Sequence, residues 1–351
     1  MGIIIAIIIF GIIVTVHEFG HFICAKLSGI KVIEFSVGMG PKLLQKKKGD
    51  TSYSLRLLPV GGYCAMEEDI ESDDPRNFRK AKLWKRVIVL AAGAFNNFIL
   101  GFIMVVVLIC TLDGVPTTVI SGFRGVREDN GDVTYYAESY DSGLRHDDKI
   151  IRMGGTRVYS NLDIDFILSS GSTDTYDVVV IRNGEKLEIP QVKFGDKMYG
   201  GLFDFGVVYK DKTPLTVIKG SGEIFMSMTH IVGLSLKQLV SGKISKDDVS
   251  GPVGVVSAIS ETAKESNGLR EAVSSIAYMT ALISINVGIF NLLPIPGLDG
   301  GRLLFCLIEF IRRKPVKPEH EGYVHLAGMV LLFGIMIFAT YNDIVRLVTG
   351  G

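Results

Sequence analysis

The sequence predicts a polytopic α-helical membrane protein: four transmembrane helices, a membrane-associated β-hairpin or small sheet, and one β-rich soluble domain. Three observations predict it. Mean hydropathy is +0.35, with 48% hydrophobic residues against 21% charged, and the apolar residues gather into blocks separated by polar, Gly-rich stretches. Four blocks approach the roughly 20 residues that a helix needs to cross a bilayer. Between the first and second blocks, and again between the second and third, β-like runs punctuated by Gly and Pro replace them.

The first span covers residues 2–25 within a segment 1–28. It lacks a basic leader and a small-residue cleavage site, so it reads as a span and not a signal peptide. Segment 29–83 follows. Residues 32–40 and 53–63 read as strands, with Lys46-Lys47-Lys48-Gly49-Asp50 as the turn between them. Lipid cannot satisfy an open sheet edge, so this hairpin must be shielded by protein or border water. Its edge at Val37-Gly38-Met39-Gly40 could take up an extended peptide as a further strand; an ordinary cytoplasmic hairpin is the alternative. Trp84 and Lys85-Arg86 anchor the second span, 84–112.

Segment 113–212 is polar, with strand-like runs at 176–182 and 186–192 around the turn Arg182-Asn183-Gly184-Glu185, and its length suits one small β-rich domain. In segment 213–268, apolar residues recur at helical spacing from Leu215 to Leu239. That predicts an amphipathic helix on the membrane or against the bundle, then a turn at Ser250-Gly251-Pro252-Val253-Gly254 and a linker. The third span lies in segment 269–321 and the fourth in 322–351. Basic residues crowd the connection after the first span and the one after the third, from Arg302 to Lys317. The positive-inside tendency puts both in the cytoplasm, and both termini and the β-rich domain outside.

Formal net charge is +0, which argues against a nucleic-acid partner and leaves the lipid bilayer as the expected surroundings. Cys24, Cys64, Cys110 and Cys306 are scattered without a C-x-x-C spacing. They read as small buried hydrophobes, not as disulfides or a zinc cluster.

The first span carries His17-Glu18-Phe19-Gly20-His21. In a helix this pattern sets two imidazoles one turn apart on one face with a carboxylate beside them, the zinc-and-base arrangement of many metalloproteases. Ionisable groups at membrane depth are costly and mark function. A catalytic zinc site usually takes three protein ligands. The best third candidate is Asp299, in Asn291-Leu292-Leu293-Pro294-Ile295-Pro296-Gly297-Leu298-Asp299-Gly300-Gly301, where Pro and Gly break the third span. The predicted topology brings this motif and the two histidines to one depth. Zinc over other divalent ions is an inference from ligand type and geometry. Glu18 is the candidate general base. Asn286 and Asn291 could hold the backbone of an extended substrate, although Asn286 serves equally well as interhelical glue. Asn96 and Asn97, after Gly93-Ala94, read as close-packing positions of the second span. His146, His230, His320 and His325 read as surface or interfacial histidines.

These motifs, with Phe35-Ser36-Val37-Gly38-Met39-Gly40-Pro41, Gly61-Gly62-Tyr63 and Gly93-Ala94-Phe95-Asn96-Asn97, occur in an order that resembles the bacterial site-2 proteases of the regulator-of-sigma-E protease type. The resemblance covers nearly the whole chain. It implies an intramembrane zinc metalloprotease acting in or near the membrane segment of single-span proteins, such as anti-sigma factors after a first cut, or remnant signal peptides. It also implies a PDZ-like fold for the soluble domain, carried by Ser142-Gly143-Leu144-Arg145-His146-Asp147-Asp148-Lys149-Ile150, with Ser142 where Ala is usual and Asp147 where Gly is usual. Two other readings compete. A non-catalytic PDZ-bearing adaptor predicts a degraded metal motif, and a metal transporter predicts more intramembrane ionisable residues or an inverted repeat. The sequence has neither feature. Nothing in it fixes an oligomeric state.

Overall fold

The computed structural model describes residues 2–68, 72–127, 133–171, 173–195, 204–242, 251–265 and 268–349. In chain order the elements are α1 (Gly2–Leu27), β1 (Val32–Lys48), β2 (Thr51–Met66), α2 (Leu83–Thr111), β3 (Val115–Phe123), β4 (Gly125–Arg127), β5 (Val133–Tyr135), α3 (Glu138–Asp141), β6 (Lys149–Met153), β7 (Thr156–Arg157), α4 (Asn161–Ser170), β8 (Thr175–Arg182), β9 (Glu185–Lys193), β10 (Phe205–Lys210), α5 (Pro214–Val240), α6 (Pro252–Glu265), α7 (Leu269–Leu292), α8 (Asp299–Arg312) and α9 (Pro318–Thr349). They divide into two compact units, residues 1–104 with 241–351, and residues 105–240. Among the described residues four helices are long and apolar enough to cross a membrane: α1, α2, α7 and the Pro318–Arg346 part of α9. These are the four expected spans.

In the first unit α1 stays helical because its run offers no Pro and no Ser, Asn or Asp to compete for the backbone. Its end is a Schellman motif: Ile30 N donates to Ala25 O and Gly29 N to Lys26 O, with Gly29 at φ +74°. Ala6, Ile9 and Ile13 of α1 form a core with Ile259 of α6, and Ile276, Met279 and Ile283 of α7 pack on it. The helix α6 corrects two expectations. Pro252-Val253-Gly254 is its first turn and not a loop turn, because Pro is tolerated at a helix start, where its missing N–H is no loss. The stretch to Glu265 is helix where a linker was expected; residue 250 lies outside the described residues. Buried Asp343 of α9 caps this start, accepting from Gly251 N (3.0 Å) and Gly254 N (2.7 Å). Another helix, α8, occupies Asp299–Arg312, where a basic connection was expected.

The hairpin forms, with its turn confined to Gly49-Asp50; Lys46-Lys47-Lys48 still belongs to β1. Residues Glu34–Val37 have Cα partners at Ser52–Leu55 and a second set at Gly62–Ala65. The expected open edge at Val37 is therefore taken on both sides, by Leu55 and Gly62. Met39 pairs with Leu58, and Gly38 and Gly40 turn the strand at φ +81° and +85°. Among the described residues two edges lack a strand partner, the outer side of Leu44–Lys48 and the outer side of residues 62–66.

The second unit is built on a sheet of order β10-β3-β6-β8-β9, with β7 beside β6 and a separate β4-β5 pair. Asn183 (φ +53°) and Gly184 (φ +84°) make the tight β8-β9 turn. Its core gathers Ile120, Leu144, Ile150, Met153, Ile164, Val178, Val180 and Phe205. Helix α5 is amphipathic as expected. Within this unit its buried face, Ile224, Ser227 and Met228, meets the domain itself: Ser227 Oγ donates to Asp163 of α4. All four cysteines are free, and Cys110 is exposed instead of buried.

Candidate metal centre

The 3.6-residue period of α1 brings His17 and His21 onto one face, with both side chains buried. Their Nε2 atoms lie 3.1 Å apart. Asp299 Oδ2, from the first turn of α8, lies 3.0 Å from His17 Nε2 and 3.1 Å from His21 Nε2. Three ligand atoms, one from each residue, thus fall within 4.8 Å of one another. Two imidazoles and a carboxylate converging on one point, one turn of helix apart, form a donor set that suits zinc.

The surroundings test that fit. His21 Nδ1 donates to Val89 O at 2.7 Å, which leaves the Nε2 lone pair facing the other two donors. At His17 the partner is Asn97, whose carboxamide nitrogen lies 3.3 Å from Nδ1 while its Oδ1 is buried without a partner. A carboxamide's O and N are told apart only by their hydrogen bonds. Turned over, the amide sets Oδ1 to accept from His17 Nδ1–H. That pairs the orphan oxygen and frees Nε2 as a ligand. Ser284 Oγ of α7 donates to Asn97 O at 2.7 Å, fixing this part of α2.

Close approach of α1 and α2 is allowed by two glycines. A side-chain carbon at Gly20 would stand 2.4 Å from Ala92 O, and one at Gly93 would stand 2.5 Å from His21 Nε2 and 2.6 Å from His17 Cε1. Asp299 is delivered by the broken segment between α7 and α8. Pro294 and Pro296 bar a continuous helix, and Gly297 takes φ +97°. Gly297 N donates to His325 Nδ1 of α9 at 2.9 Å. His325 therefore holds the turn two residues before Asp299, which corrects its reading as an interfacial histidine. One turn beyond Asp299, Arg302 pairs with Glu68.

Glu18 lies next to His17, and its Oε2 accepts from Cys64 N of β2 at 2.9 Å. The β2 edge thus anchors the candidate base. Burial pushes the Cys64 thiol up to about 12. Within the hairpin, burial alone would raise Glu34. Hydrogen bonds from Ser54, Tyr63 and Arg56 outweigh it and hold the carboxylate at about 2. Asn286 and Asn291 donate their carboxamide nitrogens within α7, to Leu282 O (2.9 Å) and Val287 O (3.0 Å).

Asn97, His325 and two backbone groups, Val89 O and Cys64 N, were not singled out for this site from sequence. Asn97 stands one turn after Gly93, so spacing alone could have put it on the face that meets the histidines. The backbone partners leave no trace in side-chain identity.

A buried His-Glu-x-x-His helix meeting an Asp from a broken span, inside a bundle of membrane-length helices, defines a site-2-type metalloprotease. Comparison with known proteins agrees. The family model described as "Peptidase family M50" matches residues 5–335. The chain is similar to a Clostridium acetobutylicum protein named "Putative zinc metalloprotease", with 34% identity over 98% of this chain and 97% of the relative. It is also similar to a protein of the same name from Clostridium perfringens (32%, covering 98% and 99%) and to Regulator of sigma-W protease RasP of Bacillus subtilis (30%, covering 97% of each). The chain belongs to peptidase family M50.

Proposed function

We propose that the protein hydrolyses peptide bonds in or near the transmembrane segment of single-span membrane proteins. The observation that carries this reading is the convergence of His17, His21 and Asp299 with Glu18 alongside. His17 Nε2, His21 Nε2 and an Asp299 carboxylate oxygen would hold zinc, and when bound the ion supplies Lewis acidity that makes water a nucleophile near neutral pH. Glu18 takes the proton from the attacking water and returns it to the leaving amine. Val89 O and Asn97 keep the imidazoles in the ligating tautomer.

Substrate must be extended, because helical carbonyls are engaged in hydrogen bonds. The outer edge of β2 at residues 62–66, which lacks a strand partner and whose Cys64 N–H is held by Glu18, is the place for such a strand to add. Gly38, Met39 and Gly40 border that part of the sheet. Asn286 and Asn291 can contribute only if their amides leave their own helix. The bacterial cell membrane is the expected location, with the active site toward the cytoplasm and the termini and β-rich unit outside. We read the β-rich unit as a PDZ-like filter for membrane proteins already trimmed outside. Asp147 supports this: it takes φ +64°, the left-handed conformation that a motif glycine would supply. The relative named as a regulator of sigma-W favours membrane-bound transcriptional regulators over signal peptides.

Cleavage of a single-span model substrate by the purified chain in detergent tests the reading. Glu18→Gln should keep its zinc and lose about 10²–10⁴-fold in rate, whereas Asp299→Asn should lose both zinc and activity. If Glu18→Gln cuts as fast as wild type, the base assignment fails and a non-catalytic adaptor becomes the better description.

A further inference from the structure

The second unit contains a basic cavity that the proteolytic site does not use. It has a volume of about 420 Å³, and five cationic side chains, Lys149, Arg152, Arg157, Lys210 and Lys219, line it against one carboxylate, Glu223. Arg152 and Arg157 are direct cross-strand partners of β6 and β7. Like charges set directly opposite each other destabilise a strand pair. None of the five cations carries an ion pair among the described residues, although the Arg157 guanidinium lies over the Tyr159 ring at 4.9 Å. Two opposed guanidiniums with no ion-pair partner among the described residues suit a tetrahedral anion, which each can grip through two N–H groups.

The position of the cavity in its own unit indicates where the anion comes from. Lys210 pairs with Val115, four residues after the end of the span α2. Lys212, two residues on, donates to Cys110 O and Leu112 O at that helix end. Exposed Tyr209, Leu215 and Ile218 flank Lys210 and Lys219, and Leu215 and Lys219 share a face of α5 at i, i+4. Exposed apolar and aromatic side chains mixed with lysine at the end of a span mark the headgroup layer. We propose that this cavity holds the phosphate of an anionic phospholipid headgroup and so docks the β-rich unit on the membrane surface.

The test uses the full chain in a zwitterionic detergent, with native mass spectrometry reading retained lipid after addition of phosphatidylglycerol or phosphatidylcholine, each with and without inorganic phosphate. Phosphatidylglycerol should be retained over phosphatidylcholine. Arg152→Gln with Arg157→Gln should weaken that retention about tenfold, a change of about 1.4 kcal/mol. Lys219→Gln, on a different element, should weaken it in the same direction, and Lys186→Gln, outside the cavity, should not. Lipid-free, the double variant should melt no lower than wild type, since it removes a like-charge pair. Equal retention of both lipids, a double variant that binds as wild type, or an equal loss in Lys186→Gln would overturn the proposal. Complete displacement of phosphatidylglycerol by inorganic phosphate would overturn the lipid assignment in favour of a free anion.

Discussion

Asp299 of the first unit and two fully buried carboxylates of the second, Asp148 and Asp163, are treated in opposite ways. In the second unit Asp148 receives Arg145 N and both Nε and Nη2 of Arg182 at 2.7–2.8 Å. Asp163 receives Tyr159 N, Ser160 N, Ser227 Oγ and His230 Nδ1. Donors from several directions meet each charge: the Asp163 set joins α4 to α5, and the Asp148 set ties the segment before β6 to Arg182 of β8. In the first unit, Asp299 faces two imidazoles, and those imidazoles are already directed by Val89 O and Asn97 from behind. Lone pairs gather there instead of complementary donors. A buried carboxylate ringed by protein N–H groups holds a fold together. One that shares its space with other ligand atoms, each oriented from outside, is built for a cation.

The contrast can be broken by exchanging the losses. Asp299→Ala should take metal content to background and reduce cleavage by about 10³-fold or more, several kcal/mol of transition-state stabilisation. Asp163→Ala should leave metal content intact while costing the second unit about 3 kcal/mol, because two backbone N–H groups, a hydroxyl and His230 lose their acceptor. Metal analysis and thermal unfolding on the same samples decide it; a metal loss in Asp163→Ala would erase the distinction. A subtler probe is Asn97→Ala, which removes no ligand. Zinc affinity should fall 10–100-fold, read by competition with a chromophoric chelator, with unchanged helicity. The smallest effect concerns the hairpin. Glu34 is held near 2 against an ordinary value of 4.5, so its contribution is complete above about pH 4.5 and drains away as pH falls toward 2. Hydrogen exchange across residues 51–66 should quicken over that window, and Glu34→Gln should remove the dependence.

The spans were legible because a helix in lipid must be apolar along its length, and the candidate metal ligands stood out because His, Glu and Asp are costly there. The break before Asp299 was equally plain in Pro294, Pro296 and Gly297. What composition could not convey was how β2 folds along both sides of Glu34–Val37, since register depends on bulges at Gly38, Gly40 and Gly61 that turn the chain without changing its pattern. Helix α6 was obscured by Gly and Ser at its start, and its cap, Asp343, comes from 89 to 92 residues away. Asn97 looked like packing because the same small-residue neighbourhood that lets helices approach also hides a hydrogen bond to His17.

The Schellman end of α1 fixes a distance with a logistical consequence. His21 and His17 lie six and ten residues before Leu27, roughly 9 and 15 Å along the helix axis. Each peptide bond hydrolysed consumes one molecule of water, and a route from that helix end would carry it that far along a span whose exposed residues include Phe19, Ile23 and Leu27. Throughput then depends on hydration of the route as much as on the reactivity of the site. Solvent isotope and osmotic-stress measurements would find a reagent in short supply, although it is the solvent of the rest of the cell.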